Sequence, residues 1–219
     1  MSDKKYAVLI DADNVSDKYI KAILDEISNE GTITYKRIYG DWTRPGLSSW
    51  KNILLNHSIT PIQQYGYTTG KSSTDSAMII DAMDILYSGS VDGFCIVSSD
   101  SDFTRLAVRL RESGMNVIGM GEKKTPNAFI AACNRFKYLE IIGGEKVSDD
   151  KEEVRENDLD DMTIPNIKRA VAEIVSDVSD ESGCAALSDV GNILIKRFPS
   201  FDVRHFGYKK LTPFIKSFG

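Results

Sequence analysis

Two acidic residues follow an apolar segment near the middle of the chain. In CIVSSDSDFTRLA, residues 95–107, the apolar run ends in two serines, and Asp100 and Asp102 come next with one further serine between them. Neighbouring carboxylates repel each other and are costly to desolvate unless a cation or hydrogen-bond donors compensate. The segment is therefore either the acidic start of a helix or part of a metal site.

Acids in two other segments could join this pair. Asp11 directly follows the apolar residues of YAVLIDADN, and Asp75 lies in GKSSTDSAMIIDAMDIL. Helix capping is an alternative for several of them, because Asp75 completes a capping box with Ser72, Asp100 can be an N-cap, and Asp102 lies in a first helical turn. Capping explains Asp11 least, because Asp11 stands several positions before the next predicted helix.

The available donors favour a hard cation. The chain has only two histidines, His57 and His205, and three cysteines without a CxxC pair. Histidine triads, disulfide frameworks and zinc sites are therefore not expected, and the free cysteines indicate a reducing cytoplasm. Carboxylate oxygens without histidine or cysteine predict Mg²⁺ or Mn²⁺ as the cofactor.

Alternating strand and helix patterns place the acids at one edge of a sheet. Strands are predicted over 6–12, 33–40, 59–66, 93–99 and 116–121, with helices between them and a last helix from Pro126 through Phe136. The strand over 59–66 is expected to be less central, because Pro61 cannot donate to a ladder. This alternation predicts an α/β domain with a mostly parallel sheet sandwiched by helices, whose ligands bind beyond the carboxyl ends of the strands.

The distribution of charge divides the chain. Residues 1–144 carry 16 basic and 17 acidic residues, residues 145–162 carry 3 and 9, and residues 163–219 carry 8 and 6. A strongly acidic stretch without aromatic residues is typical of a solvated linker. We therefore predict a domain over 1–144, a linker over 145–162 and a small module over 163–219.

Hydrophobic patterning argues against membrane insertion. No run approaches the roughly 18 apolar residues of a membrane span. The apolar stretch near the start is too short for a signal peptide. These features predict a soluble, cytoplasmic protein.

Two enzyme classes compete for the acidic site. The string LIDADNV fits the DxDx[TV] pattern of haloacid-dehalogenase-type phosphatases, and FCIVSS could serve as their second motif. Those enzymes also need a lysine followed by a further strand that ends in an acid pair. The strand NVIGMGEKK instead ends in glycine, one glutamate and lysines, which makes the phosphatase the weaker alternative.

The other class fits along the whole domain. The motifs IDADN, RIYGDW, PIQQYGY, GKSSTDSAMIIDAMD, SSDSDFTRLAVRLRESG and VIGMGEKKTPNAFIAACNRFKYLE occur in this order over residues 5–143. Together they resemble the NYN domain, a branch of the PIN-like ribonucleases. Ser99 and Ser101 stand where many relatives carry glycines, a departure that leaves the acids intact.

The resemblance implies roles for individual residues. It makes Asp11, Asp75, Asp100 and Asp102 the metal-binding acids and Asn14 the asparagine of the D-x-x-N turn. It also implies a second tier of residues near the site or the substrate path, namely Asp13, Asp41, Lys71 and Asp81.

The C-terminal module combines cationic and aromatic residues. From Lys196 to Lys216 there are six Lys and Arg residues against one acid, with aromatic residues interleaved. Most of the phenylalanines are expected to form the core of so small a domain, whereas cations beside aromatics suit phosphate contact and base stacking. The candidate RNA-binding residues are Lys196, Arg197, Arg204, Tyr208, Lys209 and Lys210.

The pattern LSDVG…FPSFDVRHFGYKKL over about 163–218 resembles the LOTUS domain, also called OST-HTH, a winged-helix-like module. That family is associated with RNA binding and, in some animal relatives, with protein partners. The combination predicts a metal-dependent ribonuclease that acts on single-stranded RNA and is targeted by its C-terminal module. The alternative is a regulatory protein that binds RNA through the same fold without cutting it.

Overall fold

The fold is described from a computed structural model, in which residues 3–65, 73–144, 162–180 and 183–218 are described. Residue contacts divide the chain into two compact units, one within residues 1–145 and the other within 146–219. Lys71, Ser72 and residues 145–161 lie outside the described residues. The role of Lys71, the capping box of Ser72 and the linker therefore stay predictions.

The first unit is built on a six-stranded parallel sheet in the order β3-β2-β1-β4-β5-β6. Its strands are β1 (Lys5–Asp11), β2 (Thr32–Gly40), β3 (Thr60–Gln63), β4 (Gly93–Val97), β5 (Asn116–Gly121) and β6 (Arg135–Tyr138). The predicted parallel α/β fold is confirmed. Strand β3 lies at an edge, as expected for a strand that contains Pro61.

Helices cover both faces of this sheet. They are α1 (Ile20–Ser28), α2 (Trp50–His57), α3 (Ser73–Ser88), α4 (Thr104–Glu112), α5 (Asn127–Ala132) and α6 (Leu139–Ile142). Successive strand residues point to opposite faces, so Val8 and Ile10 pack with α1 and α2, whereas Ala7 and Leu9 pack with α3, α4 and α5. Asp11 is two residues after Leu9 in the same strand, so its side chain lies on the same face of the sheet as those of Ala7 and Leu9.

The predicted helix from Pro126 through Phe136 is wrong in its second half. Helix α5 ends at Ala132, Cys133 is extended, and Phe136 lies in the sixth strand. Phe136 is 1% exposed and packs edge-on against Phe129 at 6.0 Å between ring centroids. Strand formation at the edge of the sheet thus buries this ring against the preceding helix, a tertiary contact that local periodicity does not report.

The strand order reverses direction between β1 and β4. From β1 the chain builds outward to β2 and β3, and it then returns to the other side of β1 to form β4, β5 and β6. Ligands of open α/β sheets bind at such a switch point, beyond the carboxyl ends of the strands. Asp11 is the last residue of β1, and Asp100 follows β4 by three positions.

The regular elements in the described residues of the second unit are all helices. Its helices are α7 (Ile164–Val178), α8 (Leu187–Arg197) and α9 (Leu211–Lys216). Phe214 is fully buried, and the other phenylalanines of the unit pack around the same core, which agrees with their predicted structural role. Gly207 adopts a φ of 78° in the turn before α9, a conformation that glycine tolerates best. Across the described residues of both units, no helix is long and apolar enough to span a membrane.

Candidate active site

A buried carboxylate closes the central strand of the sheet. The side chain of Asp11 is 1% exposed and accepts hydrogen bonds from Asp13 N at 3.0 Å, Asn14 Nδ2 at 2.7 Å and Ser98 Oγ at 2.8 Å. Burial raises the pKa of Asp11, and the donors from Asn14, Ser98 and Asp13 oppose that rise. These donors offset the cost of leaving a carboxylate inside the protein.

Ser98 connects this carboxylate to the second acidic segment. Its hydroxyl donates to Asp11 and accepts from Asp100 N at 3.1 Å. The side chain is fully buried, and Ser98 N donates to Met120 O at 2.9 Å on the neighbouring strand. Ser98 is a site residue that was not predicted from the sequence. The available signal was a serine that continues an otherwise apolar buried strand and stands two residues before an acid.

Three carboxylates from two segments meet beside this network. Asp75, Asp100 and Asp102 each place an oxygen within 4.8 Å of the others. Asp100 is also the N-cap of the short 3-10 turn Ser101–Phe103 and accepts from Asp102 N at 2.9 Å. Asp75 lies in the first turn of α3. Helix capping and clustering of acids, which were alternatives in the sequence, therefore occur together for Asp100.

Asp11 lies outside this group. Among the described residues, the cluster of acids close enough to share an ion contains Asp75, Asp100 and Asp102, whereas Asp11 reaches Asp100 through Ser98. Four acids were expected to meet at this edge. The structure brings three of them together and places the fourth in a hydrogen-bonded layer beneath.

Asp13 and Asp41 stand at the rim of the site, in the loops after β1 and β2. Thr74 Oγ1 donates to Asp13 Oδ2 at 3.3 Å, which connects the β1 loop to the start of α3. Asp41 accepts hydrogen bonds from Thr43 Oγ1 at 2.6 Å and from Gln63 Nε2 at 2.9 Å. These hydrogen bonds lower the pKa of Asp41, so the carboxylate stays charged.

Asp81 serves a different set of contacts. It pairs with Arg37 and accepts a hydrogen bond from the hydroxyl of Tyr39, both on β2. Burial, and then the hydrogen bond with Asp81, raises the pKa of Tyr39. Asp81 thereby connects α3 to the sheet and is not part of the acidic cluster.

The donor set of the cluster fits a hard divalent cation. It consists of carboxylate oxygens alone, which Mg²⁺ and Mn²⁺ prefer. Oxygens around an octahedral ion at about 2.1 Å stand roughly 3 to 4 Å from one another. Side chains whose oxygens already lie within 4.8 Å of one another can reach that spacing with small rotations.

The candidate RNA-binding residues of the second unit fall into two groups. Arg197 pairs with Glu173 at 3.2 Å and Asp177 at 3.4 Å on α7, and Arg204 forms hydrogen bonds with Asp202. Tyr208 packs edge-on against Phe214 at 5.4 Å between ring centroids.

The remaining candidates are Lys196, Lys209 and Lys210. Their side chains are exposed and have no ion-pair partner among the described residues. They are the candidates most open to a phosphate ligand.

Comparison with known proteins relates both units to families. Residues 5–140 match the NYN domain and residues 163–219 match the OST-HTH/LOTUS domain. No curated protein matches the chain significantly. A crystal structure of a protein of unknown function from Vibrio parahaemolyticus is similar, with 20% identity and a TM-score of 0.52 over 62% of this chain and 93% of that chain; at this identity the likeness shows the fold alone. The chain belongs to the NYN domain family and carries an OST-HTH/LOTUS domain after its NYN domain.

Proposed function

We propose that this protein is a metal-dependent ribonuclease that hydrolyses phosphodiester bonds of single-stranded RNA. The observation that carries the proposal is the convergence of Asp75, Asp100 and Asp102 within 4.8 Å in a chain of the NYN family. NYN domains are PIN-like nuclease domains and generally ribonucleases. The LOTUS family of the second unit binds RNA, so both units have the same class of ligand.

In this proposal Asp75, Asp100 and Asp102 hold Mg²⁺ or Mn²⁺. A divalent ion at this position would stabilise the negative charge of the phosphoryl group and activate a water molecule for attack. Asp11 contributes a buried negative charge next to the cluster. Ser98 fixes the position of Asp11 relative to Asp100, because its hydroxyl is hydrogen-bonded to both residues. Asn14 fixes the orientation of the Asp11 carboxylate, because its amide donates to Asp11 Oδ2 at 2.7 Å.

The second-tier residues receive supporting roles. Asp13 and Asp41 border the path of the substrate, and Lys71, outside the described residues, precedes the helix that carries Asp75. Asp81 supports the packing of α3 through Arg37. An open edge of a sheet suits a flexible single strand better than a rigid duplex, which is why single-stranded RNA is the proposed substrate.

Incubation of the full-length protein with end-labelled single-stranded RNA tests the proposal. Parallel reactions contain Mg²⁺, Mn²⁺ or EDTA, and the same oligonucleotide is titrated for binding by fluorescence anisotropy. We expect shorter products with at least one of the ions and none with EDTA. Binding without cleavage under all three conditions would support an RNA-binding regulatory protein instead.

A further inference from the structure

An arginine in the loop after β2 lies beside Asp13 and Asp41, the two acids at the rim of the candidate site. Arg44 follows Gly40 and its side chain is 59% exposed, at 3.6 Å from Asp13 and 3.7 Å from Asp41. Both distances are beyond hydrogen-bond range, and exposed pairs of this kind contribute little stability. The guanidinium therefore lies near the site, and its weak contacts with the two carboxylates can be replaced by a bidentate contact with a phosphate.

The loop that carries Arg44 is fixed at its base. Trp42 N donates to Gln63 Oε1 at 2.9 Å, and Trp42 Nε1 donates to Ile62 O at 3.0 Å. Arg44 N in turn donates to Asp41 O at 3.0 Å. A fixed backbone with an exposed guanidinium is suited to positioning a ligand, because little ordering is needed when the ligand binds.

A second cation lies on the other side, in the loop after β5. Glu122 N donates to Ser99 Oγ at 2.9 Å, which places this loop beside the residue before Asp100. Lys123 N donates to Glu140 Oε1 at 3.0 Å, so the backbone is anchored at the next position as well.

The two lysines of this loop differ in their contacts. The side chain of Lys124 pairs with Glu122 at 2.8 Å. The side chain of Lys123 is exposed and has no ion-pair partner among the described residues. Lys123 is therefore the one of the two that is available to an anion.

These two cations flank the acids along the edge of the sheet. In the strand order β2-β1-β4-β5, Arg44 follows β2, and Lys123 follows β5. Between them, Asp11 ends β1 and Asp100 follows β4. Strands lie about 4.8 Å apart, so β2 and β5 are separated by roughly 14 Å, a length that a few nucleotides span. A polyanion that approaches a cluster of carboxylates also requires compensating positive charge nearby.

We propose that Arg44 and Lys123 are phosphate-positioning residues that bind RNA phosphates on opposite sides of the scissile phosphate. The RNA then crosses the carboxyl edge of the sheet from the β2 side to the β5 side, over the acidic cluster. This inference rests on the ribonuclease function proposed above and adds the path of the substrate. Arg44 offers a two-pronged contact to a phosphate, and Lys123 offers a point charge.

Steady-state cleavage of a short single-stranded RNA by full-length variants provides the first test. Arg44→Gln and Lys123→Gln should each raise KM by roughly tenfold, the worth of a lost charge-assisted hydrogen bond, and leave kcat within about threefold. Arg44→Lys should recover part of the loss. Lys4→Gln is the matched control, because Lys4 is exposed and precedes β1, at the amino ends of the strands and therefore away from the acids.

Replacement of single phosphates by uncharged methylphosphonates assigns each cation to its phosphate. In the wild-type protein, replacement at two positions that flank the cleaved bond should raise KM. Arg44→Gln should become insensitive to one replacement only, and Lys123→Gln to the other only. If the wild-type protein cleaves but both variants keep its KM, or stay as sensitive as wild type to every replacement, the positioning roles are wrong while the ribonuclease stands. If the wild-type protein cleaves nothing with either ion, the ribonuclease proposal fails and this inference fails with it.

Discussion

The two units of the protein keep their polar groups in different places. Within the described residues, the buried polar side chains all belong to the first unit: Asp11, Thr74, Ser98, Ser99 and Thr125. The second unit has an apolar core, and most of its charged side chains are exposed, among them Lys196, Lys209 and Lys210. Buried polar groups must be satisfied internally, so the first unit has a fixed network, whereas the second has separable surface charges.

This difference predicts different consequences of substitution. Ser98 contacts both Asp11 and Asp100, so a change there alters stability and the geometry of the acids together. A change at Lys209 or Lys210 alters the charge offered to a ligand and leaves the core untouched. Substitutions in the buried network of the first unit should therefore act on kcat and folding, and substitutions of surface cations should act on KM.

The largest expected effect follows from neutralising one acid of the cluster. Asp100→Asn keeps a residue that caps helices well but removes a charge that a bound ion requires. Cleavage at saturating RNA should fall by orders of magnitude, and the melting temperature without metal should stay the same or rise, because repulsion with Asp75 and Asp102 decreases. Rapid-quench kinetics and thermal unfolding measure both.

Asp84→Asn is the matched control for this charge change, since Asp84 is exposed on α3. An Asp100→Asn variant that is folded and as active as the control would show that Asp100 is not a ligand.

A smaller effect is expected at Ser98. Ser98→Ala removes a donor from the buried carboxylate of Asp11 and an acceptor from Asp100 N. Removing one of the three donors to Asp11, and the acceptor of Asp100 N, should lower the free energy of unfolding by about 1–3 kcal/mol, measured by urea denaturation. Ser101→Ala, at an exposed serine, should change it by much less. Equal stability of the two variants would mean that water replaces the Ser98 hydroxyl without cost.

The surface lysines of the second unit should have a still smaller effect, confined to binding. Neutralising both Lys209 and Lys210 to Gln should flatten the salt dependence of RNA binding by roughly 0.7 per lost contact, with cleavage at saturating RNA unchanged. Arg197→Gln should flatten it less, because Arg197 is already paired with Glu173 and Asp177. If the double variant loses as much cleavage at saturating RNA as at low RNA concentration, the second unit completes the active site.

The smallest effect on activity should come from separating the two units. From its 9 acidic and 3 basic residues, we propose that the segment 145–162 is a solvated linker. Limited proteolysis should then cut within it first, and the fragment 1–144 should retain metal-dependent cleavage of short RNA. Mass spectrometry locates the cut. Survival of this segment at protease levels that digest denatured protein would place the domain boundary elsewhere.

Sequence patterns predicted which segments form strands and helices better than they predicted which side chains contact each other. Strand and helix periodicity, with Pro61 as an edge signal, was sufficient for the parallel fold, because both depend on local chemistry. The sixth strand was missed, because Phe136 becomes buried only when α5 folds back against the sheet. An apolar residue in a short segment fits either element until its partners are known.

The site shows the same limit. The acids could be assigned to one edge because parallel strands end together, but their division into Asp75, Asp100 and Asp102 around one point and Asp11 beneath depends on side-chain contacts. The partners of Asp81 and Arg197 are likewise distant in sequence. Sequence therefore identified charged groups, whereas the structure distinguishes the paired from the available ones.

Anomalous scattering from crystals grown with Mn²⁺ is the most direct test of the proposed metal site, because it locates the ion without relying on turnover. We expect a peak in direct contact with carboxylate oxygens of at least two of Asp75, Asp100 and Asp102, and its loss in Asp100→Asn crystals grown in the same way. The absence of a peak at these three residues in the wild-type protein, or an equal peak there in the Asp100→Asn variant, would contradict the proposed metal site.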